Sequence, residues 1–155
     1  MSEMTPEQLA QSVRKLAIAS HGVGYFTPAL VESATGLQVR FSDTHPDVFG
    51  QEGEVVGGGR YGAVSVPSGG PAKRFDFEYE PEVIAEGQAC LHPISLYYQP
   101  FIDAGFEARW LGPARLGSRG IWSFTRDEVR VLAFVGKNAI EDKANACVSH
   151  LDISL

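Results

Sequence analysis

The sequence predicts an α+β protein, in which a mainly antiparallel sheet packs against an N-terminal helical hairpin and one or two further short helices. Three observations predict it. Up to Gly36, apolar residues recur at helical spacing between recognisable start and stop signals. From Leu37 onward a two-residue alternation dominates. Turn-like links join the alternating runs, which favours hairpins over the long crossovers that a parallel sheet needs.

The first helix opens at Thr5-Pro6-Glu7-Gln8. Thr at the N-cap, Pro at the first helical position and Gln at the third form a capping box, which satisfies otherwise orphaned N–H groups. Leu9, Val13, Leu16 and Ala17 then share one face, and His21-Gly22 with Gly24 ends the helix. Thr27-Pro28 starts a second, shorter helix with Leu30, Val31 and Ala34 on its apolar face and Gly36 as its stop. Two short helices joined by a Gly-containing turn suggest a helix-turn-helix, but the second helix has no Arg or Lys to meet a phosphate or base, so a helical hairpin packed on a sheet is the simpler reading.

Leu37, Val39 and Phe41 alternate with polar residues as a strand. Gly57 to Val66 reads as a Gly-rich turn entering a short strand at Ala63–Val66, and Pro67 to Pro71 as a loop. Phe75, Phe77 and Tyr79 alternate with Asp76, Glu78 and Glu80, the clearest strand in the chain, with one acidic face. Glu82 to Cys90 fits a helical turn or a strand. Pro93 to Ala104 reads as a helix that Pro100 breaks or kinks and Gly105 ends, and Phe106 to Leu111 as a strand. Ile121–Phe124 and Val129–Val135 flank a hairpin turn, and the second of these is apolar on both faces, as a central strand should be. Asn138 to Glu141 is a second capping box, which predicts a short helix to about Ala146. Val148 to Leu155 reads as a last strand.

At 155 residues, with 44% hydrophobic and 21% charged residues, the chain fits one domain over 1–155 that needs no covalent staple. The N-terminus has neither the basic start nor the apolar stretch of a secretory signal, and no window approaches a membrane span, so a cytoplasmic location is expected. There, Cys90 and Cys147 are read as reduced thiols, with a single bridge as the alternative.

The net charge of −6 is localised. Residues 41–86 hold nine acids against three bases, and the rest of the chain is neutral. A phosphate-backbone binder needs a basic stripe, so nucleic acid is excluded as a partner. A basic protein fits such a surface.

Five features of the sequence have the character of sites. Gly57-Gly58-Gly59-Arg60-Tyr61-Gly62 matches a phosphate loop literally, but a strand follows where a dinucleotide site needs a helix, so a turn is the simpler reading. Cys90 with His92 and Cys147 with His150 together offer a Cys₂His₂ set, at spacings that match no zinc motif. His45 between Asp43 and Asp47 has the character of a general base, without a third group in the sequence to complete it. Tyr97, Tyr98, Phe101, Phe106, Trp110 and Trp122 are core, or else a pocket or interface, with the basic loop 112–120 beside them. The acidic block stands out most. Asp76, Glu78 and Glu80 repel one another on one strand face unless a partner or a nearby arginine (Arg109, Arg119 or Arg130) compensates.

The sequence thus points to a non-catalytic protein-binding module of the bacterial immunity type. It would neutralise a basic toxin domain through Asp43, Asp47, Glu52, Glu54, Asp76, Glu78 and Glu80. No catalytic residue, metal or cofactor is assigned, and no membrane partner. The alternatives are a small enzyme or ligand-binding domain around Tyr97, Trp110 and Trp122 with His45 or His92 as acid-base, and a structural subunit of a larger assembly.

Overall fold

The computed structural model describes residues 3–80, 90–113, 119–137 and 141–155. Its strands form one sheet, mainly antiparallel, with three helices, which is the α+β architecture expected.

The helical hairpin forms as its caps dictate. Helix α1 (Pro6–Ala19) starts at a complete capping box: Gln8 N–H donates to Thr5 Oγ1 at 3.0 Å, and Thr5 N–H donates to Gln8 Oε1 at 2.8 Å. Leu9, Val13, Leu16 and Ala17 are buried along its inner face. Helix α2 (Pro28–Thr35) is capped by Thr27, and Gly36 closes it at φ +78°, a left-handed cap that glycine adopts without strain.

The strands are β1 (Glu3–Met4), β2 (Arg40–Phe41), β3 (Phe49–Val55), β4 (Arg60–Val66), β5 (Arg74–Glu80), β6 (Glu107–Pro113), β7 (Arg119–Arg126), β8 (Val129–Lys137) and β9 (Val148–Ser154). Their order across the sheet is β1-β3-β4-β5-β9-β8-β7-β6, with β2 paired to the start of β3. Two antiparallel meanders, β3-β4-β5 and β6-β7-β8, are thus joined by the C-terminal strand, which hydrogen-bonds to β5 on one side and β8 on the other.

One face of the sheet is the core. Tyr61, Ala63, Phe75, Phe77, Tyr79, Leu151, Ile153, Val131, Ala133, Trp122 and Phe124 are all buried there. Helix α3 (Tyr98–Asp103) packs on this face, with Tyr98 edge-on to Trp122 at 5.1 Å and Phe101 against Phe124 at 4.9 Å. Arg14 of α1 donates to the Leu96 carbonyl at 2.6 Å, tying the first helix to a single 3-10 turn at Ile94–Leu96.

Several expectations are corrected. The strand expected over Leu37–Phe41 shrinks to Arg40–Phe41, whereas β4 begins earlier than Ala63, at Arg60. Strand β3 had no forecast, because glycine occupies an inward position (Gly53) and hides the alternation. Gly50 in the same strand tolerates no side chain: a Cβ there would sit 2.2 Å from the Ala63 carbonyl oxygen. The helix of residues 93–104 breaks at Tyr97 instead of Pro100, which sits in the first turn of α3 where a missing N–H costs nothing. Residues 141–146 are turns and not the helix expected from Asn138, since Asp142 Oδ1 accepts from Ala144 N–H at 2.9 Å and Asn145 N–H at 3.0 Å. Residues 81–89, which include most of the ambiguous Glu82–Cys90 segment, and 138–140 lie outside the described residues.

The cysteines are also corrected: Cys90 and Cys147 form a disulfide, so the reduced-thiol reading does not hold. The backbone brings them together. Val148 N–H donates to the His92 carbonyl at 2.9 Å and Ile94 N–H to the Ala146 carbonyl at 2.8 Å, so the two segments run as a short ladder. Among the described residues, no helix is long and apolar enough to cross a membrane.

Candidate functional site

The second face of the sheet carries most of the charged positions of β3, β4, β5 and β9. Register places them in rows. Glu54, Arg60 and Glu80 lie side by side on β3, β4 and β5. The next row is Glu52, Gly62, Glu78, His150 and Phe134, and the row after it Gly50, Val64, Asp76, Asp152 and Leu132. Glu52, Glu54, Glu78 and Glu80 are exposed. Between Glu52 and Glu78 stands Gly62, where a Cβ would meet nothing within 4 Å. Neighbouring strands are about 4.8 Å apart, so the two glutamates flank an open slot roughly 10 Å wide. Arg60 lies 3.9 Å from Glu52 on one side of the slot, and His150 Nδ1 lies 3.5 Å from Glu78 on the other.

Asp76 departs from the exposed acidic face expected of β5. It is only 6% exposed, as is Asp152 directly opposite it on β9. Two carboxylates this buried need compensation, and Arg74 and His150 provide it in place of Arg109 or Arg130. The Arg74 guanidinium donates to both oxygens of Asp76, at 2.6 and 2.7 Å, and approaches Asp152 Oδ1 at 3.4 Å. His150 Nε2 bonds directly to Asp152 Oδ1 and lies 3.6 Å from Asp76 Oδ2, while Nδ1 lies 3.5 Å from Glu78 Oε1. Phe134 fixes the imidazole by an edge-on ring contact at 5.3 Å. The side chain of Arg119 lies outside the described atoms.

The electrostatics follow from this packing. The hydrogen bond to Asp152 raises the His150 pKa against the opposing pull of burial, and the charges of Asp152, Asp76 and Glu78 add to it. The two aspartates diverge. Burial holds the Asp76 carboxyl above the usual carboxylate range, with Arg74 acting against it. Burial is also the largest single influence on Asp152 and pushes it up, but the hydrogen bonds with His150 and Asp76 and the charges of His150 and Arg74 together carry it below the range. The result is a charge-balanced knot of two acids, one arginine and one histidine under the rim glutamates.

The remaining candidates are dispersed. Asp43 and Asp47 sit in the exposed link between β2 and β3, which enters β3 at the end away from Glu54. His45 pairs with the Thr44 hydroxyl at 2.9 Å and not with either aspartate. The glycine run is a hairpin turn between β3 and β4, with Gly57, Gly58 and Gly59 all at positive φ and Gly58 N–H spent on the Val55 carbonyl. The Cys₂His₂ set does not assemble, since both sulfurs are in the disulfide and His150 lies on the outer face. His92 is fully buried: Nδ1 bonds the Val148 carbonyl at 2.9 Å and Nε2 the Tyr97 hydroxyl. The aromatic residues are core, with Trp122, Tyr97, Phe101 and Phe106 at most 4% exposed.

Sequence reasoning named the rim glutamates, and it named His150 only as part of a Cys₂His₂ set, while Arg74 and Asp152 were not among its candidates. A signal for two of these was present: His150 and Asp152 share one face of a strand that was expected, but its neighbours were unknown. Comparison with known protein families, with curated proteins and with solved structures finds no match to this chain.

Proposed function

We propose that the chain is a non-catalytic binding module whose outer sheet face receives a basic protein surface, in the manner of an immunity protein that occludes a basic toxin domain. One observation carries this reading: Glu52 and Glu78 stand on either side of Gly62, and Glu54 and Glu80 extend the same two walls. A lysine or arginine entering over Gly62 meets carboxylates on both sides and no side chain below. Charge of this kind steers association, and complementary packing sets the lifetime of the complex. The half-buried Val64, Leu132 and Phe134 on the same face offer apolar contact beside the acidic walls.

Asp43 and Asp47 contribute to the long-range field, and Asp76 acts beneath the surface. We place the interaction in the cytoplasm. Thiols there are kept mostly reduced, so the Cys90–Cys147 disulfide weighs against this location; trapping free thiols at lysis tests it, and a fully bridged population moves the interaction to an oxidising compartment.

The test uses immobilised wild-type protein and a Glu52→Gln/Glu78→Gln variant against native lysate, at low and high salt. The expected result is a basic protein retained by the wild type at low salt and lost in the variant. Once purified, its activity is then blocked by a stoichiometric amount of wild type. Equal retention by both forms, or a retained protein whose activity is unaffected, overturns the reading.

A further inference from the structure

We infer that Asp76, His150 and Asp152 form a divalent-metal site of the zinc type, which the Arg74 guanidinium fills while no metal is bound. The inference rests on the buried cluster and shares only Glu78 with the rim.

The geometry points to a metal in three ways. The ligand atoms of the three side chains all lie within 4.8 Å of one another. His150 Nε2 and Asp76 Oδ2 are 3.6 Å apart. Ligands about 2.0–2.2 Å from a tetrahedral zinc are separated by about 3.4 Å, so this pair already stands near ligand spacing, while His150 Nε2 and Asp152 Oδ1, now directly hydrogen-bonded, must part to reach it. The second indication is the imidazole itself. Nε2 faces both buried aspartates, while Nδ1 faces the Glu78 carboxylate at 3.5 Å. A carboxylate on the far nitrogen of a ligating histidine is the outer contact that fixes its tautomer and raises its basicity. The third is the donor set. One imidazole and two carboxylates suit zinc or cobalt, whereas magnesium and calcium favour oxygen alone. Three protein ligands leave a fourth position open to water, on the open face of the sheet.

Arg74 is the competitor that such a site must expel. Its guanidinium spans Asp76 and Asp152, yet its side chain is 44% exposed and lies at the start of β5, so it can swing into water. On binding, M²⁺ takes the two carboxylates, His150 gives up its Nε2 proton to solvent, and Arg74 is released. The cluster then exchanges two single charges, one on guanidinium and one on imidazolium, for one double charge.

The exposed group His21, Asp127 and Glu128 also brings ligand atoms together. It lacks burial, and Glu128 is already engaged by Gly22 N–H, so it serves as the control.

The experiment titrates CoCl₂ and then ZnCl₂ into the chelator-treated full chain, read by visible absorption of bound cobalt and by calorimetry. One equivalent should bind, and zinc should displace cobalt. His150→Gln should weaken binding at least about tenfold, the smallest loss expected when even an outer-sphere partner is removed. His21→Gln should leave binding unchanged, and Arg74→Gln should tighten it, a gain that a merely unfolded variant cannot produce. No binding by the wild type overturns the inference, as does loss on His21→Gln in place of His150→Gln. Weaker binding by Arg74→Gln, with the fold intact by circular dichroism, overturns it too.

Discussion

Burial of His92 makes the stability of the fold depend on pH in a calculable way. The imidazole is fully enclosed, and because a carbonyl only accepts, Nδ1–H donates to Val148 while Nε2 accepts from the Tyr97 hydroxyl. The second bond requires an unprotonated Nε2, whereas Nδ1–H can donate to the carbonyl in either charge state. Burial lowers the pKa from 6.5 to about 4, against weaker opposing effects from the Val148 carbonyl and Glu7. In the unfolded chain the same histidine titrates near its ordinary value, so below that pH the unfolded state binds a proton that the folded state refuses. The contribution is present above about pH 6.5 and is lost as pH falls toward 4. Between pH 7 and pH 5 the loss is about 2 kcal/mol. His150 runs the other way, since its raised pKa gives stability that is complete below the unfolded value and lost as pH rises through the folded one. The carboxylates with lowered values, Glu128, Asp142 and Asp152, matter only at lower pH. Comparing wild type with His92→Gln cancels these shared terms. Urea unfolding at pH 7 and pH 5 should show wild type losing about 2 kcal/mol more than the variant over that interval. Equal losses would refute the reasoning and mean that His92 is either accessible or already charged in the fold.

Three further outcomes follow from packing and covalent constraint. Cys90→Ser should lower stability by about 4 kcal/mol in the chain-entropy account, because the bridge spans 57 residues, and equal unfolding midpoints with and without reductant would contradict this. Gly120→Ala would place a Cβ 2.2 Å from the Trp110 ring. It should cost about 1–3 kcal/mol and shift tryptophan fluorescence, whereas an unchanged spectrum would mean that the ring does not lie over Gly120. Thr5→Ala removes one half of the α1 capping box and should destabilise by about 1 kcal/mol in thermal unfolding, with Thr5→Ser close to wild type.

The sequence by itself determined the elements whose signals are local. Thr5, Thr27 and Gly36 act through their own backbone neighbours, so both N-terminal helices were legible to within a residue or two. Strand β5 was equally plain, because three aromatic residues alternate with three acids. The acidic rim was visible as composition, but its arrangement was not. That Glu52 and Glu78 face each other across Gly62 depends on the register of three strands, one of which carries glycine where the pattern needs an apolar residue. The buried knot depends on more distant pairing still. Asp76 and Asp152 are 76 positions apart in the chain, and only the insertion of β9 between β5 and β8 sets them opposite each other. The same insertion turned Asp76 from a surface charge into a buried one and supplied His150 beside it. A strand's alternation states which residues share a face. The neighbouring strand decides what that face meets, and that neighbour is chosen by the burial of Leu151 and Ile153 against the core, a global term that no local window contains.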